Sequence, residues 1–145
     1  HTDTGMSIKL PDMLKLSDLT IGYFASNDNA IMVALLSTED GGVPIYNRQD
    51  FIDRAAANPN FVANFLGVDT ANFTEGEERQ LGGKSFYCYP MTMTSGEETY
   101  TGSLCIANAD ETGCWMLCYA VLDDCPAHDD MMALCASCIE SISFK

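Results

Sequence analysis

The sequence predicts an α+β domain, an antiparallel β-sheet covered by helices on both faces, and three observations predict it. The run Cys114–Leu122 is apolar on both alternating faces, with Trp115, Leu117, Tyr119 and Val121 pointing one way and Cys114, Met116, Cys118, Ala120 and Leu122 the other. Such a strand belongs in the middle of a sheet that is covered twice. The run from Pro126 to Ile142 places Met131, Leu134, Cys135, Cys138 and Ile142 at spacings of three and four, a helical stripe able to cover that sheet. Upstream, Gly82-Gly83 and Ser95-Gly96 interrupt alternating segments in the way of hairpin turns.

Taken in order, residues 1 to 6 are polar and Gly-containing and are expected to be disordered. Ser7-Ile8-Lys9-Leu10 followed by Pro11 reads as a short strand ended by a proline. Leu19 to Ala25 alternates, with Leu19, Ile21, Tyr23 and Ala25 on one face. Ser26 to Asn29 is a turn cluster and Ala30 to Leu36 is wholly apolar, so the two runs read as an antiparallel hairpin. Glu39-Asp40-Gly41-Gly42 ends that pair. Asn47 is the expected N-cap of a helix carrying Phe51, Ile52 and Ala55, with Asp50 in its first turn.

Asn58-Pro59 breaks this helix, and Phe61 to Leu66 forms a further short one before Gly67. Val68 to Gly76 is a connection or a weak edge strand. Gly82-Gly83 joins Glu78–Leu81 to Lys84–Met93, and Pro90 argues for an edge position or a bulge in the second of these. Ser95-Gly96 leads into Glu97–Ala109, and Asp110 to Gly113 turns into the central strand. Asp124 or Cys125 would cap the last helix, with Pro126 at its first position. No repeat, linker or low-complexity tract interrupts the 145 residues, so 1–145 is read as a single domain, long enough to bury a real core.

Charge and cysteine content narrow the function. The net charge is −14, and from Ser85 to Phe144 nine acids occur without one Lys or Arg. Nucleic-acid binding needs cations to displace phosphate counterions, and an anionic membrane surface needs them too, so both are disfavoured as partners. No apolar run approaches the ~20 residues of an integral membrane segment. The chain opens at His1 without an initiator Met, which fits a mature segment whose targeting signal has been removed, extracellular or in the cell envelope; the alternative is the cytoplasm. Seven cysteines is an odd count, and six lie from Cys105 onward, mostly within apolar runs rather than loops. That placement favours reduced, core-filling thiols over a disulfide framework.

The order of elements carries a family resemblance. Ile8-Lys9-Leu10-Pro11, Gly82-Gly83-Lys84-Ser85-Phe86, and Ile139 to Phe144 closing the last helix are its points of contact. With a hairpin, a helix and a meander between them, they resemble the PsbP-like α/β/α sandwich. That fold is shared by the photosystem extrinsic protein, a Ran-binding nuclear import factor and many bacterial envelope lipoproteins. The resemblance covers nearly the whole chain and implies a non-enzymatic binding or accessory role.

Each candidate for chemistry has a plainer reading. Cys135-Ala136-Ser137-Cys138 is a C-x-x-C, but it falls well inside the predicted helix, where the N-terminal dipole that would activate a thiol has faded. A zinc site drawn from Cys114, Cys118, Cys125, Cys135, Cys138 and His128 fails on spacing. Cys114 and Cys118 would stand roughly 13 Å apart along a strand, too far to share one tetrahedral ion. Asp123 to Asp130 holds four carboxylates and His128, but lacks the oxygen spacing of a calcium loop. Asp124 reads as a cap, Asp129 and Asp130 as partners of the helix dipole, and His128 as a surface residue of the first turn.

Gly82-Gly83-Lys84-Ser85 resembles the tail of a phosphate-binding loop, but Glu78 stands where the first glycine belongs and a strand follows instead of a helix. Asn72-Phe73-Thr74 fits a glycosylation acceptor, a triplet common by chance. Tyr87, Tyr89, Met91 and Met93 form an apolar row that reads either as a binding surface or as the core face of its own strand. The expectation is therefore a non-catalytic binding or accessory domain, with no assigned catalytic, cofactor or metal residue, that recognises a protein or apolar ligand. The alternative is a thiol-redox or metal-binding protein built on the C-terminal cysteines.

Overall fold

The computed structural model describes residues 6–9, 15–19, 22–27, 29–40, 43–58, 60–109 and 113–144. In chain order the strands are β1 (Met6–Ser7), β2 (Lys15–Leu19), β3 (Gly22–Ser26), β4 (Ala30–Ser37), β5 (Glu39–Asp40) and β6 (Val43–Pro44). Helices α1 (Arg48–Ala57) and α2 (Phe61–Leu66) follow. The chain continues with β7 (Thr70–Phe73), β8 (Glu77–Leu81), β9 (Lys84–Ser95), β10 (Glu98–Asn108) and β11 (Cys114–Leu122). Helix α3 (His128–Glu140) and β12 (Ser143–Phe144) close it.

An eight-stranded antiparallel sheet runs β2-β3-β4-β11-β10-β9-β7, with β8 sharing the outer side of β9 with β7. The apolar strand β11 is central, hydrogen-bonded to β4 on one side and β10 on the other. Its alternation sorts the core into two layers. Trp115, Leu117 and Val121 pack with Cys135, Cys138 and Ile139 of α3, whereas Cys114, Met116, Cys118 and Ala120 pack with Phe51 of α1 and Phe61 and Val62 of α2. Helices thus cover both faces, as the two-sided apolar pattern requires.

Local signals explain the helix ends near α1. Asn47 Oδ1 accepts the Asp50 amide at 3.0 Å, the expected N-cap, and the acid of Asp50 takes the Tyr46 amide at 2.9 Å. α2 ends at Gly67, whose φ of 74° lets its amide close back onto the last turn. The Gly82-Gly83 turn has φ of 60° and 83°, the double left-handed conformation of a two-residue hairpin.

Several expectations are corrected. Met6 does not belong to a frayed lead: it is fully buried and pairs with Phe144. The strand expected over Ser7–Leu10 is the two-residue β1, which pairs with β12 outside the main sheet; Leu10 and Pro11 lie outside the described residues. Leu19 ends a separate strand, β2, and only Gly22–Ser26 pairs with β4. Ile21 and Asp28 also lie outside the described residues, as do Gly41, Gly42, Pro59 and most of the turn at 110–113. Val68–Gly76 contains the edge strand β7.

Pro90 is not on an edge strand; of the two expectations the bulge is the one met, since Thr74 to Gly76, three residues, stand opposite Tyr89 and Pro90 between the Phe73–Met91 and Glu77–Cys88 pairs. Pro90 O accepts the Thr74 amide and Thr94 O the Asp69 amide, so even-numbered residues of β9 aim their backbone groups away from β10. The proline nitrogen thus faces the break between β7 and β8, where no ladder bond is required. α3 begins later than expected, because the Cys125 amide bonds to Leu122 O in a tight turn that buries the Cys125 side chain. Ala127, with φ of 55°, occupies the cap position in place of Asp124 or Cys125. Glu140 ends the helix, so the segment to Phe144 closes as a strand.

Candidate functional site

Two concavities open on opposite faces of the sheet. The first lies under α1, which is held over the sheet where Phe51 meets Phe61 edge to face at 5.1 Å. One turn further on, Ile52, Ala55 and Ala56 stand above Phe73, Tyr89, Leu104 and Ile106 and leave a hollow of about 190 Å³. Two of its wall positions are alanines, so the helix does not reach down to fill it. Its walls carry almost no polar surface, and its rim is aromatic: Tyr89 packs on Phe73 at 5.6 Å and on Tyr87 at 4.9 Å, and the Arg48 guanidinium lies 5.9 Å from the Tyr87 ring centre. A hollow of this size has room for a benzene-sized group.

The second concavity, a cleft of about 550 Å³, lies on the α3 face beside the end of that helix. Glu75, Glu77 and Arg79 form one wall, Cys88 and Ser103 the floor, and Tyr119 the far side. Arg79 is tied to Glu140 of α3 at 3.0 Å. Cys88 and Cys105 stand directly opposite each other on β9 and β10. Because even-numbered residues of β9 point their backbone away from β10, this is a non-hydrogen-bonded pair, in which Cα atoms approach to about 4.5 Å.

The two thiols influence each other across the strand pair. The neighbouring Cys88 lowers the Cys105 thiol against the opposing effect of burial, helped by Ser103 Oγ at 3.7 Å and by the Arg79 charge, whereas Cys88 is raised by its neighbour Cys105 and by burial. The residues singled out in the sequence did not include this pair, although the Ser95-Gly96 turn carries the signal. Ser95 pairs with Glu98, and the same register sets Cys88 against Cys105.

The singled-out residues sit elsewhere. Cys135 and Cys138 are buried on the core side of α3, and burial pushes Cys135 up to about 11 and raises Cys138. Cys114 and Cys118 are fully buried on the opposite face of β11. Among the described residues, no three His, Cys, Asp or Glu side chains are grouped to hold a metal ion. The Asp123–Asp130 cluster is taken apart by the fold: Asp123 accepts the Thr101 hydroxyl at 2.6 Å, while Asp129 and Asp130 lie in the first turn of α3.

His128 is half-buried rather than a surface residue, and its Nδ1–H donates to Leu122 O at 3.0 Å. Gly82-Gly83 is a hairpin turn and Lys84 and Ser85 open β9, and Asn72 is exposed on β7. Of the apolar row on β9, Met91 and Met93 are core, whereas half-buried Tyr89 lines the α1 hollow and half-buried Tyr87 packs against it.

No protein-family model matches the chain, and no curated protein does. Solved structures do. The solution structure of cyanobacterial PsbP, CyanoP, from Synechocystis sp. PCC 6803 superposes with a TM-score of 0.64 at 12% identity, covering 100% of this chain and 91% of that one. The crystal structure of LpqN, involved in cell envelope biogenesis of Mycobacterium tuberculosis, superposes with a TM-score of 0.55 at 16% identity, covering 100% and 87%. This chain has the PsbP-like fold.

Proposed function

We propose that this PsbP-like domain is a non-catalytic binding module, exported and envelope-associated, whose α1 face receives a small apolar group such as one aromatic ring or the end of an aliphatic chain. The observation that carries the reading is the hollow between Ala55, Ala56, Leu104 and Ile106, apolar and open at an aromatic rim. A cavity of about 190 Å³ is larger than the engineered ~150 Å³ cavity that takes up benzene, and its walls supply dispersion contacts without a polar anchor. The fold likeness to LpqN, a protein of envelope biogenesis, supports the location. Among the described residues no helix is long and apolar enough to cross a membrane.

The test is a thermal-shift titration with benzene or indole, on the wild type and on Ala55→Phe. The wild type is expected to gain melting temperature with ligand concentration. Ala55→Phe, which fills the hollow, should show a much smaller gain. A wild type that does not respond, or a variant that responds equally, would refute the α1 hollow as the binding site.

A further inference from the structure

The cleft on the α3 face is independent of the α1 hollow and carries a different chemistry. We propose that Cys88 and Cys105 are a modification site, a reversible cross-strand disulfide formed by exchange with a small-molecule disulfide that enters the cleft between Arg79 and Tyr119. Four observations converge on it. The two residues are register partners in a non-hydrogen-bonded pair, whose Cα separation of about 4.5 Å lies within the range a disulfide spans. Both side chains project to the same face of the sheet, and both belong to the α3-side core. Cys88, 5% exposed, forms part of the cleft floor and so borders an open approach. Ser103 Oγ lies 3.7 Å from Cys105 Sγ, and Arg79 stands on the cleft wall, so a thiolate formed there gains a donor and a neighbouring cation.

The other five cysteines lack this combination. Cys114 and Cys118 are enclosed under α1 and α2, and Cys135 and Cys138 face the core from α3. Cys125 directs its thiol to the Pro126 carbonyl.

The chemistry balances. One thiolate of the pair attacks a sulfur of the reagent RSSR, forming a protein–S–SR bond and expelling RS⁻, which takes up the proton that the thiol released. The second thiol loses its proton and attacks the protein sulfur of that mixed disulfide, forming the Cys88–Cys105 bond and expelling a second RS⁻, which is protonated in turn. The protein loses two hydrogens and is oxidised, and RSSR is reduced to two RSH. The second sulfur belongs to the register partner directly across the strand pair, so the second step should outrun release of the adduct.

The experiment treats the native full chain with oxidised glutathione, quenches with an alkylating agent in acid, and maps the products by mass spectrometry. The expected result is a cross-linked peptide joining residues 88 and 105, no lasting glutathione adduct, and five remaining cysteines alkylated only after unfolding. Dithiothreitol should return both thiols to the alkylatable pool. A glutathione adduct that persists at either position would overturn the proposal, because it would mean that the partner sulfur does not reach. Absence of reaction, or faster bonding between any other two cysteines, would overturn it as well.

Discussion

Cys114 and Cys118 have no exposed surface, and desolvation pushes each thiol from an ordinary 9.0 up to about 12. The folded values lie above the unfolded ones, so the stability gained by keeping these thiols neutral is complete below pH 9.0. It is lost as the pH rises towards about 12, because the unfolded chain sheds its protons first. Each thiol should contribute a loss of about 1.4 kcal/mol per pH unit within that window. Urea denaturation between about pH 9.5 and 11 should therefore show a steep fall in stability. The double variant Cys114→Ala, Cys118→Ala should show a shallower one, whatever its absolute stability. Equal slopes would mean that these thiols do not titrate on unfolding.

At the level of the element, the β10–β11 pairing depends on Gly102, which stands opposite Ala120. A Cβ there would overlap the Tyr119 carbonyl oxygen and come within 2.7 Å of Ala120 Cα. Backbone cannot yield as a side-chain tip can, so Gly102→Ala should destabilise the domain by about 3 kcal/mol, at the upper end of overpacking costs. Chemical denaturation measures this, and a loss below about 1 kcal/mol would show that the strands separate cheaply.

The elements differ in how far they were legible. α1 was readable because its signals are local: Asn47 caps it, and the chain turns at Asn58. β11 was readable because a nine-residue strand apolar on both faces has few other places to go. The start of α3 was not, because burial of Cys125 postpones a helix that Asp124 and Pro126 favour locally. β2 was missed because Lys15–Leu19 mixes charged, polar and apolar residues and joins the sheet through its pairing with β3. For the sites, the alternation of β9 and β10 shows which residues face α1. The hollow itself depends on how far Phe51 and Phe61 hold that helix off the sheet, a distance no pattern encodes.

The whole molecule carries a net charge of −14, with no Lys or Arg between Lys84 and Lys145. Two arginines are committed to local ion pairs, Arg48 with Glu78 at 3.5 Å and Arg79 with Glu140 at 3.0 Å. The remaining acids repel one another most when folded, because the folded chain holds them closest. Raising ionic strength from about 0.01 M to about 0.15 M shortens the Debye length from about 30 Å to about 8 Å, so the melting temperature should rise with sodium chloride over that interval. A flat or falling profile would mean that local ion pairs outweigh the general repulsion.

The break at Pro90 has a consequence for behaviour in crowded solution. A sheet that ended on the full length of β9 would offer a twelve-residue ladder to any passing strand. Instead that side is closed by β7 and β8, four and five residues long and interrupted by Thr74 to Gly76, with Glu77, Glu78 and Arg79 on the second. Short, charged, discontinuous edges are poor templates for edge-to-edge aggregation. The interruption that accommodates one proline thus also keeps this flank of the sheet from growing into a neighbour.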